Sequence, residues 1–125
     1  MIYRSMNATR LDFPNDQFDI VYSVGVYHHL SDAEFRSSLL ESARVLKPGG
    51  TLILLDNILP SLKINLYAYL IRKLDRGKFV RRKDQILEML KGMGLNVVSQ
   101  ETFYYTFTGL EGIIVKLGKN AGREI

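Results

Sequence analysis

The chain has 125 residues, of which 46% are hydrophobic and 24% charged, as expected of one globular domain of ordinary composition. It has no cysteine, which excludes disulfides and thiolate metal sites, and its apolar runs are too short for a signal peptide or a membrane span, so we expect a cytoplasmic protein. The net charge of +4 is local, because residues 57–94 hold nine lysines and arginines against three acidic residues.

The first predicted strand covers residues 18–24. It follows a turn at residues 14–16 and is rich in β-branched and aromatic residues. Apolar side chains fall on both of its faces, which is typical of a strand covered on both sides in a parallel sheet. A glycine and two adjacent histidines follow directly.

A strand–helix–strand unit is predicted next. Ser31 and Glu34 form a capping box that starts a helix, and Pro48 with two following glycines ends it and makes a structural turn. Residues 51–55 form a second buried strand, joined to the first by a right-handed crossover. Asp56 ends this strand, where it either contacts a substrate or is a solvated strand end.

The residue pattern in the second half of the chain predicts two helices and two strands. The helices cover residues 60–76 and 83–92, where apolar side chains recur at helical spacing. The strands cover residues 95–101 and 112–117. The polar residues 119–125 are expected to form a flexible tail.

Two motifs carry a family resemblance. The chain resembles class I S-adenosylmethionine-dependent methyltransferases, in particular the ubiquinone/menaquinone-type branch that acts on small molecules. The motifs that carry the resemblance are NATRLDFPNDQFDIVYSVGVYHHL and, after the helix, RVLKPGGTLILLD. The resemblance is clear over residues 6–56 and looser over residues 80–117. It implies an α/β, partial Rossmann-like sheet of mainly parallel strands with an antiparallel C-terminal pair, and helices on both faces.

The resemblance covers only the second half of the family fold. The family's glycine-rich cofactor loop follows its first strand, and none of the ten glycines here forms such a loop. Residues 1–118 would therefore be the C-terminal half of a methyltransferase domain. We expect this chain alone to bind S-adenosylmethionine very weakly or not at all.

The resemblance also implies the cofactor-binding residues. Asn7 would contact the adenine of S-adenosylmethionine, and Ala8 would also bind the cofactor. Ser23, Val24 and Gly25 would line its methionine and ribose side. Asn7 stands where the family usually has aspartate, and its carbonyl oxygen can still accept a hydrogen bond from adenine, although a weaker one.

His28 and His29 lie just past the carboxyl end of the first strand, where open α/β sheets hold ligands. A neutral imidazole there could accept a proton from a small-molecule substrate during methyl transfer. The alternative is that one histidine is packed and the other exposed, without a chemical role. No metal site is expected, because adjacent histidines point in different directions and no third ligand is evident.

The partners depend on two features. The basic segment, residues 63–91, is either a solvated helical face or a surface for an acidic partner or, through residues 62–76, for an anionic membrane; no nucleic acid is expected. In the family the first strand pairs with the strand that is here residues 18–24, so its edge would be unpaired. A homodimer or a separate N-terminal lobe would complete the sheet.

Two functions are therefore open. The first is a truncated S-adenosylmethionine-dependent methyltransferase with a small-molecule substrate. The second is a non-catalytic remnant of such an enzyme that dimerises or docks onto a partner.

Overall fold

The computed structural model describes residues 1–59, 79–104 and 110–121. The predicted helix over residues 60–76 lies outside these ranges. The described elements, with a short 3-10 turn at Tyr27–His29, are β1 (Phe18–Val24), α1 (Asp32–Val45), β2 (Leu46–Ile58), α2 (Lys83–Met89), β3 (Leu95–Tyr104) and β4 (Glu111–Lys119).

The strands form one mixed sheet in the order β1-β2-β4-β3. β1 and β2 are parallel, which confirms the predicted crossover through α1. β4 returns from β3 as a hairpin and inserts beside β2, and both of its pairings are antiparallel. The expectation of mainly parallel strands is therefore wrong for the described strands, since two of their three pairings are antiparallel.

The start of α1 is the predicted capping box. The backbone N–H of Ser31 donates to Glu34 Oε2 at 2.8 Å, and the N–H of Glu34 donates to Ser31 Oγ at 3.3 Å. The helix ends at Val45, three residues before Pro48, which cannot continue it. The local signals in the sequence therefore fix this helix.

β2 begins earlier than predicted, at Leu46. Its register with β1 jumps from the pair Phe18 and Leu46 to the pair Ile20 and Thr51. Gly49 lies inside the jump with φ of +80°, a conformation that glycine adopts without strain. The proline–glycine–glycine segment is thus a bulge within the strand rather than a separate turn.

A single hydrophobic core lies on one face of the sheet, and both described helices contribute to it. The expected helices on both faces are therefore not found among the described residues. The core comprises Phe35 and Leu39 of α1, Ile86 of α2, Leu90, and alternate residues of β2 and β4, including Leu52, Leu54, Ile58, Ile113, Val115 and Leu117.

The opposite face of β1 is open. Ile20, Tyr22 and Val24 are 60%, 70% and 60% exposed. The prediction that β1 is covered on both sides is therefore wrong for this structure, because α1 and α2 both pack on the other face. β1 is also the outermost strand of the described sheet, as predicted, so its outer edge has no described strand beside it.

The C-terminal strand extends further than predicted. β4 includes Lys119, whose ammonium group donates to the carbonyl oxygens of Ala43 and Leu46 at 2.7 and 2.6 Å. The residue at which the flexible tail was expected to start is therefore part of the sheet, and residues 122–125 lie outside the described ranges. Within those ranges, no helix has the length and apolar character needed to cross a membrane.

Candidate active site at the carboxyl ends of β1 and β2

The parallel pairing of β1 and β2 brings their carboxyl ends together. Gly25 follows β1 with φ of +66°, and its N–H donates to the carbonyl oxygen of Leu55 at 2.9 Å. The chain then makes the 3-10 turn over Tyr27–His29. This path places His28 beside Asp56, although 28 positions separate the two residues in the sequence.

His28 and Asp56 form a buried pair. Their side chains meet at 2.6 Å between Nδ1 and Oδ1, and the backbone N–H of His28 donates to the other carboxylate oxygen at 3.1 Å. The residues are 8% and 1% exposed. Of the two alternatives for Asp56, the solvated strand end is therefore wrong. A carboxylate on Nδ1 favours the tautomer that carries its proton there and leaves Nε2 free to accept another.

The two predicted histidines differ in burial and in their contacts. His29 is exposed, and its ring lies 4.0 Å from that of His28 between centroids. His28 alone has the carboxylate contact that orients an imidazole. One histidine is thus packed and the other lies at the surface, but the packed one has the geometry of a general base.

An arginine supports the turn that carries His28. Arg81 is buried and donates hydrogen bonds to the carbonyl oxygens of Tyr27, Leu30 and Phe79. It also forms an ion pair with Asp32 at 2.9 Å. No local pattern indicates this role, because Arg81 looks like any other cation of the basic segment.

An open cleft of about 240 Å³ runs along the outer edge of β1. Three of the predicted cofactor residues, Ala8, Ser23 and Val24, line it together. Gly25 lies beside it, and the Cβ of any larger residue there would stand 3.9 Å from His28 Cε1. The structure therefore brings three of these residues into one cleft and places Gly25 next to the histidine.

Asn7 is placed differently. Its Oδ1 accepts hydrogen bonds from the backbone N–H and the hydroxyl of Thr9, at 2.9 and 2.7 Å. These bonds close a tight turn just before the cleft. The oxygen that was predicted to meet adenine is therefore engaged within the chain.

The inner wall of the cleft carries hydroxyl groups. Burial raises the pKa of Tyr27 above its ordinary value of 10.0, and the nearby hydroxyls of Ser42, Ser38 and Ser23 offset part of this effect. Ser23 Oγ is itself buried, but within the described residues no partner completes a well-formed hydrogen bond to it. Ser23 thus places a hydroxyl near Tyr27 in the wall of the cleft.

The residues fit one side of a nucleoside-type cofactor but do not enclose it. The cleft is smaller than the 300 Å³ or so at which small-molecule sites begin. It has small residues and a buried hydroxyl, as a cofactor wall requires. No group of three or more side chains that could hold a metal ion occurs within the described ranges.

Comparisons with known proteins show that part of the chain is similar to methyltransferases. Residues 1–54 match the family described as "Methyltransferase domain". The uncharacterized methyltransferase YcgJ of Bacillus subtilis is 40% identical over 58 residues, which are 46% of this chain and 22% of the relative. The ubiquinone biosynthesis O-methyltransferase of Rhizobium rhizogenes is 27% identical over 113 residues, 83% of this chain and 44% of the relative. The chain thus spans less than half the length of either relative.

Solved structures share the fold. A SAM-dependent methyltransferase from Methanosarcina mazei superposes with a TM-score of 0.72 at 20% identity, over 92% of this chain and 65% of that one. The 1,6-didemethyltoxoflavin-N1-methyltransferase of Burkholderia thailandensis, solved with 1,6-didemethyltoxoflavin and S-adenosylhomocysteine, gives 0.67 at 15% identity, over 90% of this chain and 48% of that one.

Proposed function

We propose that this chain is the base-carrying part of a class I S-adenosylmethionine-dependent methyltransferase with a small-molecule substrate. The match of residues 1–54 to a methyltransferase family and the shared fold support this proposal. The buried pair of His28 and Asp56 beside the cleft of Ala8, Ser23 and Val24 is the observation that supports this best. A second segment at the edge of β1, either a second copy or an N-terminal lobe, completes the cleft.

The chemistry assigns different roles to the two residues of the pair. When bound, S-adenosylmethionine supplies an electrophilic methyl group on a sulfonium centre. His28 Nε2 accepts the proton that an O–H or N–H nucleophile loses as it takes the methyl group. Asp56 holds Nδ1 at 2.6 Å and stabilises the imidazolium that forms. His29 lies at the rim and contacts the substrate.

The cleft residues form the cofactor wall in this proposal. The buried Ser23 hydroxyl donates to an oxygen of the cofactor, and Gly25 lets the backbone approach it closely. Ala8 and Val24 contact the nucleoside part. Asn7 contacts adenine only when one of the two hydrogen bonds from Thr9 is exchanged for it.

A titration followed by NMR tests the cofactor wall. We expect S-adenosylhomocysteine to shift the backbone amide signals of Ala8, Ser23, Val24 and Gly25 at about millimolar concentration, because half a site retains only a small part of the binding free energy. Calorimetry on the same sample should show no micromolar binding by the chain alone.

Matched variants make this titration decisive. Ala8→Phe fills the cleft and should abolish the shifts, whereas Ala33→Phe on the exposed surface of α1 should leave them unchanged. Shifts that are absent from the four residues, or that persist in Ala8→Phe, would contradict the proposed cofactor wall. Micromolar binding would contradict the claim that the site is incomplete.

A docking remnant without catalysis is the second candidate. The open edge of β1 and the exposed Ile20, Tyr22 and Val24 favour it, because such a surface suits a partner. Co-expression with a full-length methyltransferase separates the two proposals. A stable complex whose activity is unchanged by His28→Asn would support docking, and activity that depends on His28 would support catalysis.

Contact of residues 62–76 with an anionic membrane is a further proposal, on residues outside the described ranges.

A further inference from the structure

Arg81 is buried, whereas every alternative considered for the basic segment places its cations at the surface. Its side chain is 7% exposed, and its guanidinium lies 4.9 Å from the centre of the Phe35 ring. A buried cation is stable only when its donors are paired. The hydrogen-bond partners of the Arg81 guanidinium therefore show which part of the chain it holds in place.

All five N–H groups of the guanidinium are used. Nε and Nη2 donate to Asp32 Oδ1 at 3.0 and 2.9 Å. Nη1 donates to the carbonyl oxygens of Tyr27 and Phe79 at 2.8 and 3.1 Å, and Nη2 donates to that of Leu30 at 2.6 Å. Arginine has five such donors in a rigid fork, and lysine has three on a flexible stem.

These contacts converge on the turn that carries His28. The carbonyl oxygens of Tyr27 and Leu30 stand on either side of it, and the carbonyl oxygen of His28 itself accepts from the N–H of Phe79 at 3.0 Å. Asp32 begins the helix that follows. Residues 79–81 therefore fix the backbone of the turn through hydrogen bonds at Tyr27, His28 and Leu30.

We infer that Arg81 is a positioning residue for His28. By holding the turn, it keeps the imidazole Nδ1 on the Asp56 carboxylate and leaves Nε2 as the single proton acceptor. The catalytic meaning of this role rests on the proposed function, but the geometric role does not. It can therefore be tested without a substrate or cofactor.

The test uses the imidazole signals of the chain, which contains only two histidines. Long-range proton–nitrogen NMR spectra at alkaline pH report the tautomer of each neutral ring. We expect wild-type His28 as one tautomer, protonated at Nδ1. In Arg81→Lys, the excess of this tautomer should fall about tenfold, as expected when one good hydrogen bond is lost. His29 serves as the internal reference.

Arg82→Lys is the matched control, because Arg82 is the neighbouring residue, is exposed, and pairs only with Asp84 at 3.5 Å among the described ion pairs. It should leave the His28 signals unchanged. A folded Arg81→Lys chain with an unaltered His28 tautomer would overturn the inference. If Arg81→Lys does not fold, Asp32→Asn, which removes an 80% exposed carboxylate, decides in its place. It should shift the tautomer in the same direction by a smaller factor, and no shift would overturn the inference.

This outcome is independent of the proposed function. Suppose that the His28 tautomer depends on Arg81 but S-adenosylhomocysteine shifts no signals at Ala8 and Ser23. This result would support the positioning role and contradict the proposed methyltransferase function. Cofactor-induced shifts together with a His28 tautomer that does not depend on Arg81 would support the methyltransferase function and contradict the positioning role.

Discussion

At the residue scale, Glu41 links α1 to the loop that leads to the cleft. Its Oε2 accepts from the backbone N–H of Leu11 at 2.8 Å, and Arg44 donates to both carboxylate oxygens at 2.8 and 2.9 Å. Arg44 also donates to the carbonyl oxygen of Phe13 at 2.8 Å. The hydrogen bond from Arg44, followed by that from Leu11, lowers the pKa of Glu41 to about 2.

This pKa shift predicts a pH-dependent effect of Glu41→Gln. A carboxyl group whose pKa is about 2 when folded and near 4.5 when unfolded stabilises the fold above pH 4.5 and loses this effect as the pH falls towards 2. After allowance for solvent screening, we expect the variant to lower the free energy of unfolding by about 1 kcal/mol at neutral pH and by less at pH 3. Urea unfolding at both pH values measures this.

The exposed strand residue Glu101 provides the control, since Glu101→Gln should change the free energy of unfolding little at either pH. An equal loss for Glu41→Gln at both pH values would show that the carboxylate charge has no part in holding the loop.

At the element scale, the bulge that opens β2 depends on close backbone packing at Gly50. A Cβ there would lie 2.8 Å from the carbonyl oxygen of Lys47 and 2.9 Å from that of Asp19 on β1. Both distances are shorter than real Cβ contacts allow, and both atoms belong to the backbone. The two parallel strands that carry the candidate site therefore approach each other only because this position is glycine.

Gly50→Ala should consequently destabilise the chain by about 2 kcal/mol or more, through displacement of the backbone. Gly118→Ala is the matched control, because its new Cβ would meet only Val98 at an ordinary 3.5 Å. Thermal or urea unfolding compares the two. Equal stability of the two variants would show that the bulge can relax without loss.

The elements were largely predictable from the sequence, because their signals are local. The capping box at Ser31, the stop at Pro48 and the crossover between β1 and β2 follow from residues within a few positions of each other. The open face of β1 was not predictable, since a periodic pattern states that a face is apolar and not what covers it.

The candidate site was predictable only in part. Motif resemblance predicted a role for His28, Ala8 and Ser23, and the structure places all three near the carboxyl end of β1 or the cleft beside it. It did not identify the Asp56 contact or the burial of Arg81, because these depend on which residues the sheet register and the chain path bring together. Arg81 and its partner Asp32 are 49 positions apart, beyond the reach of any local pattern.

At the scale of the whole molecule, the two edges of the described sheet differ. β3 forms one edge and is irregular, with a register shift between Val97 and Ser99 and mostly exposed residues. Such bulges and polar residues discourage pairing with another chain. β1 forms the other edge, and the exposed Ile20, Tyr22 and Val24 flank it. β1 is therefore the edge at which a second segment would complete both the sheet and the cleft.

The mass of the isolated chain in solution tests this most directly. Light scattering at micromolar concentration should give a dimer, because a second copy is the only partner present. Ile20→Lys, on the open face of β1, should shift the mass towards the monomer, and Leu40→Lys, which replaces an exposed residue of α1, should not. A well-dispersed, stably folded monomer of the unaltered chain at these concentrations would contradict the claim that the edge of β1 requires a partner.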